Sequence, residues 1–178
     1  MDSSKQNAAA RAEAAGRYFT EGYNCSQSVL LAFADLLPVE PGLLTRMASS
    51  FGGGMGRLRE VCGAVSGMFL AAGMLYGYEG PETGAPKAEH YRRIQELAAA
   101  FEAENGSIVC RELLNLRCRR DLPEPEARTE EYYRGRPCRE LVKSAAGILG
   151  AYIRNHPEYR MAGSGGRQAE TAEKETGR

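Results

Sequence analysis

The sequence predicts an all-α protein: a compact single-domain bundle of about five to seven helices, with a glycine-rich loop before the central one. Apolar residues recur at helical spacing along most of the chain. Capping residues, glycines and prolines mark off the segments that carry this spacing. No stretch shows the apolar–polar alternation of a strand ladder.

Taken in order, residues 4–20 read as an alanine-rich helix with Ala15, Tyr18 and Phe19 toward one side, broken at Gly22. Asn24 is a strong N-cap, and Val29, Leu30, Phe33, Leu36 and Leu37 follow until Pro38 stops the helix. Pro41 opens another at the favoured first position, carrying Leu43, Leu44 and Met47. The run Phe51-Gly52-Gly53-Gly54-Met55-Gly56 cannot lie inside a regular element without cost. A helix over about 57–77 is expected next, with Leu58, Val61, Cys62, Val65, Phe69, Ala72 and Tyr76 on one stripe. Gly63, Ala64, Gly67 and Ala71 give it a small-residue face that would admit a second helix. Residues 79–86 are a loop, and a polar helix over about 86–104 turns Tyr91, Ile94, Leu97, Ala98 and Phe101 inward until Asn105-Gly106. Ser107 can cap a short helix holding Cys110, Leu113 and Leu114. Residues 117–135, rich in Arg, Glu and Pro, read as an extended excursion, and Pro137 opens a last helix to about Asn155. The expected organisation is one helical domain over 1–160 and a disordered tail over 161–178, which lacks an apolar anchor.

Composition removes several classes of function. Lys+Arg and Asp+Glu balance at 23 each, so no global field draws the chain to nucleic acid. The arginines of 117–136 are interleaved with Asp121, Glu124, Glu126, Glu130 and Glu131, which reads as a mixed, solvated surface. The uncharged stretch 61–78 is interrupted by Gly63, Gly67, Gly73 and Gly77, so a buried core helix is expected and no membrane insertion. The N-terminus shows no apolar secretory core, and a cytoplasmic location follows as the expectation. In a reducing compartment five cysteines are thiols, metal ligands or redox groups rather than a disulfide framework.

Their placement carries the functional reading. Cys25 follows the cap Asn24, Cys110 lies three residues after Ser107, Cys138 follows Pro137, and Cys62 stands shortly after the glycine loop. A helix start presents unpaired N–H groups and about half a positive charge, which favours thiolate over thiol. The competing reading is four small buried hydrophobes, which suits Cys62 best. Cys-x-x-Cys is absent, so thioredoxin-type, zinc-knuckle and ferredoxin-like patterns do not apply. His90 and His156 read as solvated residues remote from the cysteines. Gly52, Gly53 and Gly54 match no nucleotide-binding pattern; they are either a linker or, with Gly63, a nest of N–H groups around a thiolate or cluster.

Asn24-Cys25-Ser26-Gln27, Phe51 to Gly56, Cys62-Gly63-Ala64-Val65-Ser66-Gly67, Cys110-Arg111-Glu112-Leu113-Leu114 and Cys138 together resemble the bacterial and archaeal C-GCAxxG-C-C family, described as redox-active. The family label writes Gly-Cys-Ala where this chain has Cys62-Gly63-Ala64. The resemblance, over about 10–155, implies that Cys25, Cys62, Cys110 and Cys138 are the four family cysteines and Cys118 an extra one.

The leading expectation is a redox protein whose catalytic or metal-ligating residues are Cys25, Cys62, Cys110 and Cys138. It would work by thiol–disulfide exchange, or by holding an iron–sulfur cluster or other thiolate-bound metal, with a redox partner protein. In the thiol version Cys25 or Cys110 attacks and Cys62 or Cys138 resolves. The alternatives are a non-redox zinc or copper protein and a helical interaction module with inert cysteines. The small-residue face and the tyrosines would permit a homodimer.

Overall fold

The computed structural model describes residues 3–81, 84–117 and 120–157. Among them are eight helices: α1 (Ser3–Thr20), α2 (Cys25–Leu31), α3 (Pro41–Ala48), α4 (Gly63–Tyr76), α5 (Ala85–Asn105), α6 (Cys110–Leu113), α7 (Glu130–Gly135) and α8 (Cys138–Asn155). The all-α class stands as the sequence predicts. Extended pairing among the described residues is confined to an isolated antiparallel bridge between Val61 and Val109. No helix among those residues is long and apolar enough to cross a membrane.

The helix ends follow the local chemistry. Asn24 Oδ1 accepts from the Gln27 N–H at 2.9 Å and Gln27 Oε1 accepts from the Asn24 N–H at 3.0 Å, a complete capping box for α2. Pro41 begins α3, and Gly106 closes α5 in the left-handed region.

The core gathers around α4, whose first half is buried almost throughout. Val65, Met68 and Leu75 of α4 join Phe19, Val29, Leu30, Phe33, Phe101 and Leu149 there. The predicted small-residue face is used by α2: a Cβ on Gly67 would stand 2.5 Å from the Ser26 carbonyl oxygen. Helix α1 lies along α8 with the backbones of Ala8 and Gly150 nearly touching.

The structure corrects several sequence expectations, among them the helix expected to run from Asn24 to Pro38, which ends at Leu31. The helix expected over 57–77 starts only at Gly63, because Met55, Gly56, Arg57 and Arg59 take positive φ and the chain then runs extended against 108–111. Leu58, assigned to the inward stripe, is consequently exposed. Tyr91 is likewise exposed rather than inward; the buried face of α5 runs through Arg93, Leu97 and Phe101, with the Arg93 guanidinium 4.8 Å from the Tyr76 ring centre. The 117–135 excursion contains α7, whose N-cap Thr129 accepts from the Tyr132 N–H at 3.2 Å. Residues 158–178, including the tail expected over 161–178, lie outside the described residues, as does Cys118.

Candidate functional site: a four-cysteine cavity

Four separate elements deliver the cysteines to one place. Cys25, Cys110 and Cys138 are the first residues of α2, α6 and α8, and Cys62 is the N-cap of α4. All four border one cavity of about 230 Å³, and all four are free thiols. Gly52, Gly53, Gly54 and Gly63 line it too.

Two of those glycines explain how the cysteines come so close. Gly54 has φ +70°, and a Cβ there would sit 2.5 Å from the Cys110 Cβ and 3.1 Å from its sulfur. A Cβ on Gly63 would stand 2.8 Å from the Phe51 carbonyl oxygen and 3.0 Å from the Cys25 Cβ. Only a residue without a side chain leaves these walls intact. The left-handed turn through Gly53 and Gly54 lets the loop backbone lie against Cys110.

Backbone pairing fixes one side of the cavity. The Cys62 N–H donates to the Ile108 carbonyl at 2.8 Å, and the Cys110 N–H to the Glu60 carbonyl at 2.6 Å. Ser107 is not the N-cap of α6, a place taken by Val109; instead its hydroxyl accepts from the Val109 N–H at 3.0 Å and donates to Glu112 at 2.5 Å. On the other side Cys25 and Cys138, the first residues of α2 and α8, border the same cavity, and each thiol is the first influence on the other's acidity.

The thiols differ sharply in acidity. The neighbouring Cys25 thiol draws the Cys138 thiol down to about 7, with help from Arg136, Arg128 and Arg59 and against the effect of burial. Cys25 is driven well up, first by the Cys138 thiol and then by burial. Burial pushes Cys62 up to about 12, although the N–H groups of Ala64 and Val65 lean toward its sulfur and offset part of the rise. Cys110 is raised by burial, while Arg59, with Nη1 3.9 Å from its sulfur, works the other way. Against the expectation that each helix start favours thiolate, only Cys138 is lowered, and what lowers it is the neighbouring Cys25 thiol and the arginines rather than its helix start. Burial is the first cause of the rise at Cys62 and Cys110, and Cys138 is the first cause at Cys25.

Sequence reasoning missed the arginines. Arg57, Arg59, Arg128 and Arg136 line the cavity with Glu126 and Tyr132, so part of the supposed solvated surface of 117–136 is its wall. Glu126 accepts from Arg136 at 2.6 and 2.7 Å. Asp121 accepts from Arg59 at 2.6 Å and from Arg57 at 2.8 Å. Arg128 lies 4.5 Å from the Phe19 ring centre and 4.8 Å from that of Tyr132. The available signal was local: Thr129 before two glutamates is a helix-start pattern, and it places arginines on either side of Tyr132-Tyr133 just before Pro137-Cys138. The histidines take no part. His156 stacks on Tyr152 with ring centres 4.0 Å apart and His90 lies on α5; neither borders the cavity.

Four cysteines are the donor set that a four-thiolate metal centre requires. Among the described residues, however, no three His, Cys, Asp or Glu side chains are grouped as ligands of one ion.

Fold and site together describe a helical protein built around a buried, arginine-walled thiol cavity. The model of the family described as "Putative redox-active protein (C_GCAxxG_C_C)" matches residues 23–152, a span that includes all four cavity cysteines. The chain belongs to that family. No curated protein and no solved structure matches it.

Proposed function

We propose that this protein is a thiol–disulfide redox protein in which Cys138 attacks and Cys25 resolves. The observation that carries this reading is that Cys25 and Cys138 open two helices onto one cavity as an interacting pair, with Cys138 drawn down to about 7 and Cys25 driven up. The assignment reverses the roles expected from helix starts alone. The Cys138 thiolate attacks one sulfur of a substrate disulfide and the substrate's leaving thiolate departs. Cys25 then passes its proton to the first departing thiolate and attacks the Cys138 sulfur, closing a Cys25–Cys138 disulfide and releasing the second substrate half as thiolate. Two electrons pass from the cysteine pair to the substrate, and an external dithiol reductant, small or protein-borne, restores the pair.

Cys62 and Cys110 give grounds for a second reading, since all four sulfurs border one cavity. An iron–sulfur cluster or another thiolate-bound metal on the same set would supply electron transfer or a structural clamp, and it would require the sulfurs to draw closer than their present grouping.

The deciding experiment is an anaerobic purification with visible spectrum and metal analysis, followed by one equivalent of a small disulfide and peptide mapping. A colourless, metal-free protein that forms a Cys25–Cys138 bond is expected. A brown or metal-loaded protein would transfer the function to the metal centre. Four slow, unpaired thiols would leave neither reading standing.

A further inference from the structure

The thiol chemistry leaves the charge of the cavity unexplained. Four guanidinium groups line it, and Glu126 is the only carboxylate among the lining residues. Glu126 is engaged by Arg136 and, at 3.4 Å, by Arg57, while Asp121 stands outside the lining and holds Arg57 and Arg59. No carboxylate pairs with Arg128 among the described residues; it is held by the rings of Phe19 and Tyr132 and donates to the Tyr23 carbonyl at 3.4 Å. Two carboxylates against four arginines leave two positive charges around the sulfurs. A single thiolate neutralises one of them. The N-terminal ends of α4 and α8 reach the same cavity and add to the positive potential.

Charge of this kind is costly to hold in a partly enclosed space unless something answers it. Arg59 is 2% exposed and its Nε has no partner among protein atoms, so the site keeps a cation deep in the wall beside Cys110. The volume limits what can enter. At about 230 Å³ the cavity falls below the roughly 300–1,000 Å³ of clefts for drug-sized ligands. A nucleotide or a folded peptide segment is too large, and a small molecule of about ten heavy atoms is the natural scale.

We propose that the cavity is an anion-binding site whose substrate is a small disulfide carrying carboxylate or sulfonate groups beside its S–S bond. Arg128 and Arg57 at the rim receive the charged group, and Cys138 meets the sulfur. The disulfide nature of the occupant rests on the thiol-exchange reading; its negative charge does not. Electrons and protons balance as in that reading, with one substrate half leaving as the thiol that takes the Cys25 proton and the other as thiolate.

Three size-matched disulfides test the proposal on the reduced full-length protein: dithiodiglycolate (two negative charges), hydroxyethyl disulfide (neutral) and cystamine (two positive charges). Formation of the Cys25–Cys138 bond is timed by acid quench and mass spectrometry, and each rate is divided by that of free cysteine. Dithiodiglycolate should be favoured over cystamine by at least about tenfold at low salt, the scale of steering in a charged cleft. The preference should shrink several-fold in 0.5 M salt, about where screening becomes short-ranged. Arg128→Gln, a rim change outside the backbone frame, should cut the same ratio about threefold, as loss of one of two surplus charges implies. Equal normalised rates for all three compounds would overturn the anion site while leaving thiol exchange intact. Redox-inert thiodiglycolate separates the converse case. If it slows iodoacetamide capture of Cys138 although no disulfide closes the pair, the anion site stands and the exchange reading fails.

Discussion

The two sides of the cavity hold the same chemical group in different ways. On one side Cys62 and Cys110 are clamped through their own backbones, by the hydrogen bonds flanking the Val61–Val109 bridge, under a wall of glycine. On the other, Cys25 and Cys138 open two helices onto the cavity, and each is the first influence on the other's acidity. All four stand at helix starts, yet three are raised and one is lowered. A helix end therefore sets a bias that burial exceeds at Cys62 and Cys110 and that a neighbouring thiol exceeds at Cys25. A second thiol beside it, with arginines behind it, is what produces a thiolate near neutral pH.

The strongest way to break this comparison is to measure it. At pH 7 a thiol with a pKa of about 7 is half ionised, whereas one raised to about 12 is ionised about once in 10⁵. The higher intrinsic nucleophilicity of the more basic thiolate returns part of that ratio, leaving Cys138 about 300-fold faster than Cys62 toward iodoacetamide. The Cys138 rate should rise through a midpoint near pH 7 and level off above it, while Cys62 keeps accelerating to the alkaline limit of the folded protein. Quenched labelling across pH with peptide mass spectrometry reads both sites. Equal rates, or a Cys138 midpoint near 9, would erase the distinction. In Cys25→Ser, a midpoint moved from near 7 would implicate the Cys25–Cys138 pair, and an unmoved one would assign the effect to Arg128 and Arg136.

The sharper structural test concerns the clamped side. Gly54→Ala introduces a Cβ 2.5 Å from the Cys110 Cβ at a residue with φ +70°. Overpacking and left-handed strain should together cost about 2–4 kcal/mol. Gly73→Ala, on the open face of α4 with nothing within 4 Å of the added atom, should instead stabilise by about 0.5–1 kcal/mol. Denaturant midpoints of the two variants should fall on opposite sides of the unmodified protein. A harmless Gly54→Ala would mean that the wall is soft and that the loop is only a linker.

This contrast also explains what the sequence could reveal. Helix content, the small-residue face of α4 and the last helix were legible because burial imposes a period of 3.6 residues that survives in the apolar pattern. The grouping of the cysteines was legible only as a coincidence of helix starts and through family resemblance. Residues 57–62 were misread because Leu58, Val61 and Cys62 fit a helical stripe, while the positive φ of Arg57 and Arg59 has no signature in residues that seldom adopt it. The arginine wall was hidden for another reason. Sequence composition counts Asp121, Glu126, Arg57, Arg59, Arg128 and Arg136 as one mixture, whereas the fold turns four cations toward the sulfurs and leaves Asp121 behind them.

The smallest effect concerns whether the chemistry of the paired side depends on its local frame. Asn24 caps α2 immediately before Cys25 and also donates from Nδ2 to the Ser49 carbonyl at 3.1 Å, tying the helix start to the chain entering the glycine loop. Asn24→Ala removes the cap and the tie and should cost about 1 kcal/mol, in the usual range for a lost N-cap. The Asn24→Asp variant retains an oxygen acceptor for the Gln27 N–H but loses the Nδ2 donor, and so should recover most of the stability. If closure of the Cys25–Cys138 bond slows in the Ala variant and recovers in the Asp variant, the cap positions Cys25 for its partner. If both variants close the bond at the unmodified rate, the pair is held by α8 and the rings around it, and the Asn24 capping box serves stability alone.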